Sequence, residues 1–100
     1  MIKVLLERTV KRDKYHELLE LIKELRGAAL HAPGYMTGET LVSEDGVVKV
    51  LVISSWVSEE HWKAWLTSEQ RIQLETIADG LLEEDVKVSV YKIPDDEEEG

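Results

Sequence analysis

The chain has 100 residues, of which 43% are hydrophobic and 33% are charged, and it contains no cysteine. This length and balance are typical of one soluble globular domain, and no apolar run approaches the roughly 20 residues that cross a membrane. The lack of cysteine excludes disulfides and thiolate metal sites, and it agrees with a cytoplasmic location.

The formal net charge of −9 is concentrated towards the C-terminus, where residues 95–99 supply five acidic side chains. We therefore expect residues 1–93 to form the domain and residues 94–100 to form an acidic disordered tail. The body without those five charges is still acidic, with a net charge of −4. A surface that follows the phosphates of a nucleic acid is not expected on such a body.

The first half of the chain reads as a strand, a helix and a hairpin. Residues 2–10 alternate apolar and polar side chains, which predicts a strand with one inward face. Residues 11–32 carry apolar side chains at helical spacing, and we expect Asp13 to cap this helix and Pro33-Gly34 to end it. Residues 35–57 contain two β-rich runs broken at Ser43 to Gly46, a hairpin signal.

The second half reads as two short helices and a final strand. Ser58 is placed to cap a helix that ends near Leu66. Thr67 and Gln70 have the spacing of a capping box, so a second helix is expected to begin there and to run to about Asp79. Residues 85–93 alternate again and predict the fourth strand.

The element order βαββαβ predicts an α+β fold of the ferredoxin-like type, with a four-stranded antiparallel sheet and helices on one face. The run from Val48 to Ile53 is apolar on both parities, which indicates a strand that is covered on both sides. The chain's own helices can cover only one side. We therefore expect a homodimer joined through the other face of the sheet.

Three tryptophans lie within ten residues of a chain that has no phenylalanine. Trp62 and Trp65 share one helix face because they are three residues apart. We expect Trp62 chiefly to pack on the sheet, and Trp56, at a strand end, to be core or dimer contact. His16, His31 and His61 lack metal-ligand spacing, so no metal site is expected, and only His61, beside Trp62, is placed to handle a proton.

Several segments resemble the antibiotic biosynthesis monooxygenase family, and the resemblance covers residues 1 to about 93. Its most specific parts are Pro33-Gly34-Tyr35 before the second strand and Trp56 just before Ser58-Glu59-Glu60. The resemblance implies a homodimeric α+β barrel, with a pocket in each subunit between the sheet and the helices. Known activities in this family include cofactor-free oxygenation of phenols to quinones and oxidative heme degradation.

The heme-degrading branch is similar at Trp65, which matches its pocket tryptophan. The asparagine of that branch corresponds to Leu6 or to Glu7, depending on the register chosen, and its histidine corresponds to Glu75. Because two of its three residues are missing, cleavage of heme is not expected. We expect solvated positions for Glu7 and Glu75, although both would matter as a carboxylate pair if they entered the pocket.

The resemblance thus favours a cofactor-independent oxygenase acting on a small electron-rich aromatic ligand, with no cofactor. Trp65 would be a stacking wall and His61, or a tyrosine, a proton handler, so these are the expected catalytic residues. The pocket lining would include Leu6, Tyr35, Trp62 and Glu75. Two alternatives stay open, namely a non-catalytic ligand-binding or regulatory dimer and a small-molecule isomerase of the same fold.

Overall fold

The structure is a computed structural model that describes residues 1–94 of the chain. The predicted acidic tail lies, apart from Pro94, outside the described residues. The elements in chain order are β1 (Ile2–Val10), a 3₁₀ turn (Arg12–Lys14), α1 (Tyr15–Ala29), β2 (Tyr35–Ser43), β3 (Val48–Trp56), α2 (Glu59–Leu66), α3 (Glu69–Asp79) and β4 (Lys87–Lys92).

The four strands form one antiparallel sheet in the spatial order β2-β3-β1-β4. This order confirms the predicted ferredoxin-like fold, with β1 and β3 in the centre. Residue Ile2 faces Trp56 on one side and Lys92 on the other, which fixes the register of the central strand against both neighbours. Side chains of even number on β1 point to the helices and are buried.

Two buried apolar clusters fill the space between the sheet and the helices. One is built around the three tryptophans and Val4, and the other around Leu18 and Val50. Arg8, which is only 1% exposed, lies on the same face of β1 as the residues of both clusters. The interior of the domain therefore carries a charged side chain between its two apolar parts.

The other face of the sheet is apolar at its centre and uncovered in a single chain. Leu5, Leu51 and Ile53 are half-buried there, and Leu41 is 48% exposed. The two-sided pattern of β3 thus corresponds to one buried face and one partly open face. Residues Val88 and Val90 on β4 lie opposite the inward residues of β1, yet they are also exposed, because the helices do not extend over that edge.

Two predicted helix caps were wrong by one position, and one was right. Asp13 lies in the 3₁₀ turn, and α1 starts after Lys14 with no side-chain cap. Thr67 donates its hydroxyl to the Lys63 carbonyl at 3.0 Å and so closes α2, whereas Ser68 accepts from the next helix. Ser58 caps α2 as predicted.

The two sharp turns of the chain use glycines in the left-handed region. Gly46, with φ of 82°, lies in the β2–β3 hairpin, which confirms the predicted turn. Gly34, with φ of 84°, precedes β2, and its missing side chain leaves the space that the His61 ring occupies. Within residues 1–94, no helix has the length and apolar character needed to span a membrane.

Candidate functional site

A small cavity lies between the inward face of the sheet and the three helices, and it encloses about 50 Å³. Strands β1, β2 and β3 form its floor, and side chains of α1, α2 and α3 form its walls. The lining residues are Leu6, Arg8, Ile22, Leu25, Arg26, Ala29, Tyr35, Val52, Ser54, Trp56, Trp62, Trp65, Arg71 and Glu75. This set is apolar on one side and strongly charged on the other.

The apolar side is an aromatic wall built around Trp56. The Trp56 ring centre is 6.3 Å from that of Trp65 in a stacked arrangement, and 5.8 Å from that of Trp62 in an edge-on arrangement. Tyr35 meets Trp56 edge-on at 5.3 Å. The Trp56 indole nitrogen donates to the Ser54 hydroxyl at 3.1 Å, so its polar atom is satisfied inside the core. These contacts hold the rings in one geometry.

The charged side is a buried cluster of three residues, Arg8, Arg71 and Glu75. The Glu75 carboxylate accepts a hydrogen bond from the Arg8 guanidinium and lies 3.6 Å from the Arg71 guanidinium. All three side chains are at most 9% exposed. The Arg71 guanidinium also stands 5.6 Å from the centre of the Trp62 ring, a cation–π distance. The cluster therefore links the charged side of the cavity to its aromatic wall.

Burial dominates the electrostatics of this cluster. It lowers the pKa of Arg71 from its ordinary value, and neighbouring Arg8 lowers it further while Glu75 raises it. At the end of α3, burial raises the pKa of Asp79, and the Glu75 carboxylate adds to this increase. Arg71 is buried, whereas Asp79 is mostly exposed, and its raised pKa is that of a partly desolvated carboxyl group beside a second carboxylate.

The remaining charged residue of the lining, Arg26, lies on the half-buried side of the cavity. Its guanidinium donates to the Thr40 hydroxyl at 2.6 Å, which ties α1 to β2. The Tyr35 hydroxyl lies over Gly38, and a side chain at that position would collide with it and crowd Arg26. Gly38 therefore leaves room for the two polar groups that border this side of the cavity.

The structure brings together every residue predicted to line the pocket. Leu6, Tyr35, Trp62 and Glu75 all border the cavity, as does Trp65. Leu6, and not Glu7, faces the helices, because even-numbered residues of β1 point inward. The solvated position expected for Glu75 was wrong, since its ion pairs with two arginines hold it in the interior.

His61 lies outside the cavity. Its Nδ1 is 2.7 Å from the Ser58 hydroxyl, and its ring packs on Gly34. It borders a separate groove with His31, and Trp65 separates this groove from the cavity. These contacts give His61 a role in joining α2 to the turn before β2, and its proposed role in proton transfer stays a prediction.

Three of the four charged side chains that line the cavity, Arg8, Arg26 and Arg71, were not predicted from the sequence. A signal was present, because Arg71 and Glu75 lie four residues apart on one face of α3. Arg8 likewise falls on the apolar parity of β1. Charged side chains on the inward faces of two elements indicate a buried pair. Among residues 1–94, no three acidic or histidine side chains are grouped to hold a metal ion.

Similarity to known proteins shows the family to which the chain belongs. The family model for antibiotic biosynthesis monooxygenase matches residues 1–73, so the chain belongs to the antibiotic biosynthesis monooxygenase family. Among proteins with curated functions, no sequence matches the chain.

Solved structures agree on the fold at low sequence identity. A conserved protein from Methanosarcina mazei Go1 is 17% identical with a TM-score of 0.86, over 93% of this chain and 92% of that one. Rv0793 from Mycobacterium tuberculosis is 17% identical with a TM-score of 0.84, over 95% and 96%. SnoaB from Streptomyces nogalater, a cofactor-independent oxygenase, is 13% identical with a TM-score of 0.83, over 93% and 92%.

Proposed function

We propose that this protein is a cofactor-independent oxygenase that acts on a small electron-rich aromatic compound. The observation that carries the proposal is the cavity itself, in which three ordered indole rings face two buried guanidinium groups. Family membership supports the reaction class, and SnoaB offers a structural relative with that chemistry. Flat apolar rings stack on indoles, and a nearby cation stabilises negative charge that develops on a ring oxygen.

In the proposed reaction the pocket takes a proton from the substrate, and the resulting anion passes an electron to O₂. The proton is one of two hydrogens on a ring carbon, and the two radicals combine at that carbon, which then carries one hydrogen, to form a hydroperoxide. That carbon gains one oxygen atom as a carbonyl group, and the other oxygen atom leaves as water with the two hydrogens. The substrate supplies all the electrons. Apolar walls exclude bulk water from the radical pair, which is the role we propose for Trp65 and its neighbours.

The size of the cavity sets a condition on this proposal. A volume of about 50 Å³ holds a water molecule or two, whereas ligand pockets usually enclose ~300–1,000 Å³. Substrate binding therefore requires side chains to move, and Arg26 and Tyr35 are two of the half-buried residues that border the cavity, with Leu25 and Val52. The same small volume, walled by Trp62 and Trp65, favours a second candidate function, a non-catalytic regulatory dimer.

An oxygen-uptake assay separates the two functions. The purified protein is mixed with an anthrone that bears ring hydroxyls, and O₂ consumption and quinone absorbance are followed together. We expect equal amounts of O₂ consumed and quinone formed, at a rate above that of buffer, and a lower rate for Trp65→Phe. His61→Ala tests the proton-handling prediction in the same assay. Ligand binding without O₂ uptake would favour the non-catalytic function.

We further propose that the active form is a homodimer joined through the outer face of the sheet. The support is the half-buried apolar centre of that face, formed by Leu5, Leu51 and Ile53, together with the exposed Leu41. Members of a dimeric barrel fold bury such a face against a second copy. The dimer keeps the helix-side cavity of each subunit separate from the interface.

A further inference from the structure

The charges that line the cavity do not balance. Three arginines, Arg8, Arg26 and Arg71, face a single carboxylate, that of Glu75. Asp79 is the next acidic neighbour of Arg8 and Arg71, but it is exposed and does not line the cavity. Even with Asp79 included, the guanidinium groups outnumber the carboxylates. Excess positive charge in a poorly hydrated interior is costly unless an anion neutralises it.

Arg8 also has unused hydrogen-bonding capacity. A guanidinium carries five N–H donors, and Arg8 is only 1% exposed, so bulk water does not reach the remaining donors. Its Nε–H has no acceptor among the described residues. A buried polar group without a partner costs free energy in the ligand-free protein, and a bound acceptor recovers that cost.

From this cluster we infer that the ligand of the cavity is anionic, namely a flat aromatic ring that carries a negatively charged oxygen. The ring packs on the indoles of Trp56 and Trp65, and the charged oxygen accepts hydrogen bonds from the arginines on the other side. The inference rests on the proposed function, because it specifies the ligand class of the same cavity. A carboxylate and an ionised phenol share this chemistry, and the probes below distinguish them.

Three naphthalene probes of similar shape test the inference by isothermal titration calorimetry: 2-naphthoate, 2-naphthol and the neutral 2-naphthamide. We expect 2-naphthoate to bind about ten to one hundred times more tightly than 2-naphthamide, the size of a charge-assisted hydrogen bond. If the phenol also ionises in the cavity, 2-naphthol shows its naphtholate absorption band at a pH where the free compound is neutral. Equal affinity for 2-naphthoate and 2-naphthamide would overturn the inference.

Two substitutions of opposite sign give the decisive comparison. Arg26→Gln removes a positive charge from a half-buried position of the lining, and we expect the naphthoate-to-naphthamide affinity ratio to fall about tenfold. Glu75→Gln removes the negative charge, and the ratio should rise. The matched control is Lys23→Gln, which makes the same charge change one helical turn earlier on α1, where the side chain is 75% exposed. Its ratio should match that of the native protein.

The outcomes separate this inference from the proposed function. If all probes bind and neither Arg26→Gln nor Glu75→Gln changes the naphthoate-to-naphthamide affinity ratio, the cavity binds aromatic ligands without a preference for anions. Only the inference then fails. If no probe binds to the native protein, the ligand-binding cavity itself is refuted, and both proposals fail. If Glu75→Gln does not fold, the Arg26→Gln ratio alone decides the inference.

Discussion

Replacing Glu75 with leucine is the most direct test of the buried charge cluster. The Glu75 carboxylate is the counter-ion of both Arg8 and Arg71, and none of the three side chains is more than 9% exposed. Leucine at this position leaves two guanidinium groups in the interior without a counter-ion. Removing one partner of a buried ion pair costs about 3–5 kcal/mol, so the free energy of unfolding should fall by that amount.

A triple variant shows that this loss comes from stranded charge and not from lost attraction. Arg8→Met, Arg71→Met and Glu75→Leu together replace the cluster by apolar side chains of similar length. Such replacements are often neutral or stabilising. The triple variant also loses the contact between Arg71 and Trp62, worth roughly 1 kcal/mol. We expect it to be at least about 2 kcal/mol more stable than Glu75→Leu alone.

Urea denaturation followed by far-UV circular dichroism measures both variants. All samples need one protein concentration, because dimer formation makes apparent stability depend on it. In thermal melts the single variant should lose about 12–40 °C, since 1 kcal/mol corresponds to roughly 4–8 °C in a domain of this size. A loss below about 1 kcal/mol for Glu75→Leu, or a triple variant less stable than the single one, would refute a desolvated cluster.

Four other predictions follow from the structure. Trp62→Ala should lower the free energy of unfolding by about 3–5 kcal/mol in urea denaturation. Trp65→Phe should barely change the melting temperature but should weaken the affinity for an aromatic ligand in a titration. Equal destabilisation by the two changes, with unchanged ligand affinity, would mean that both rings serve only as core. Asp79→Asn should stabilise the fold at pH 7, because burial raises the pKa of Asp79 and penalises its charged form. The gain in the free energy of unfolding should vanish below about pH 4, where the carboxyl group is neutral in both states, and a gain that does not depend on pH would contradict this reasoning. Light scattering should give twice the chain mass for the native protein and a monomer for Leu51→Glu; a native monomer at micromolar concentration rules the dimer out. Heme mixed with the protein and a mild reductant should keep its Soret band, and loss of that band with iron release would show heme cleavage.

The periodic parts of the sequence predicted most of the fold. Alternation in β1 and β4 and the helical spacing of α1 gave the element types, and the Asp45-Gly46 pair gave the hairpin. The caps were harder to place, because Thr67 and Ser68 are both good cap residues. Which of the two caps α3 depends on where α2 ends, and the residue types at these two positions do not show that.

The apolar side of the candidate site was predicted, whereas on its charged side only Glu75 was named and its three arginines were not. Helix spacing places Trp62 and Trp65 on one face, and the family resemblance implied the pocket positions of Leu6, Trp65 and Glu75. The pairing of Arg8 with Glu75 joins residues 67 positions apart, and no local pattern reports such a contact. Charged residues are usually exposed, so an expectation based on residue type alone places Glu75 in solvent.

The position of β1 in the sheet has a consequence for how the protein is made. Of the four strands, β1 leaves the ribosome before the other three, yet its partners, β3 and β4, begin at Val48 and Lys87. At about 5–20 residues per second, both edges of β1 stay unpaired for roughly 2–8 s until β3 emerges, and one edge stays unpaired for roughly 4–15 s until β4 emerges. Its apolar side chains are exposed to other nascent chains during that time. We therefore expect the sheet to complete only after synthesis, so a chain stalled after α3 would aggregate where the finished chain folds.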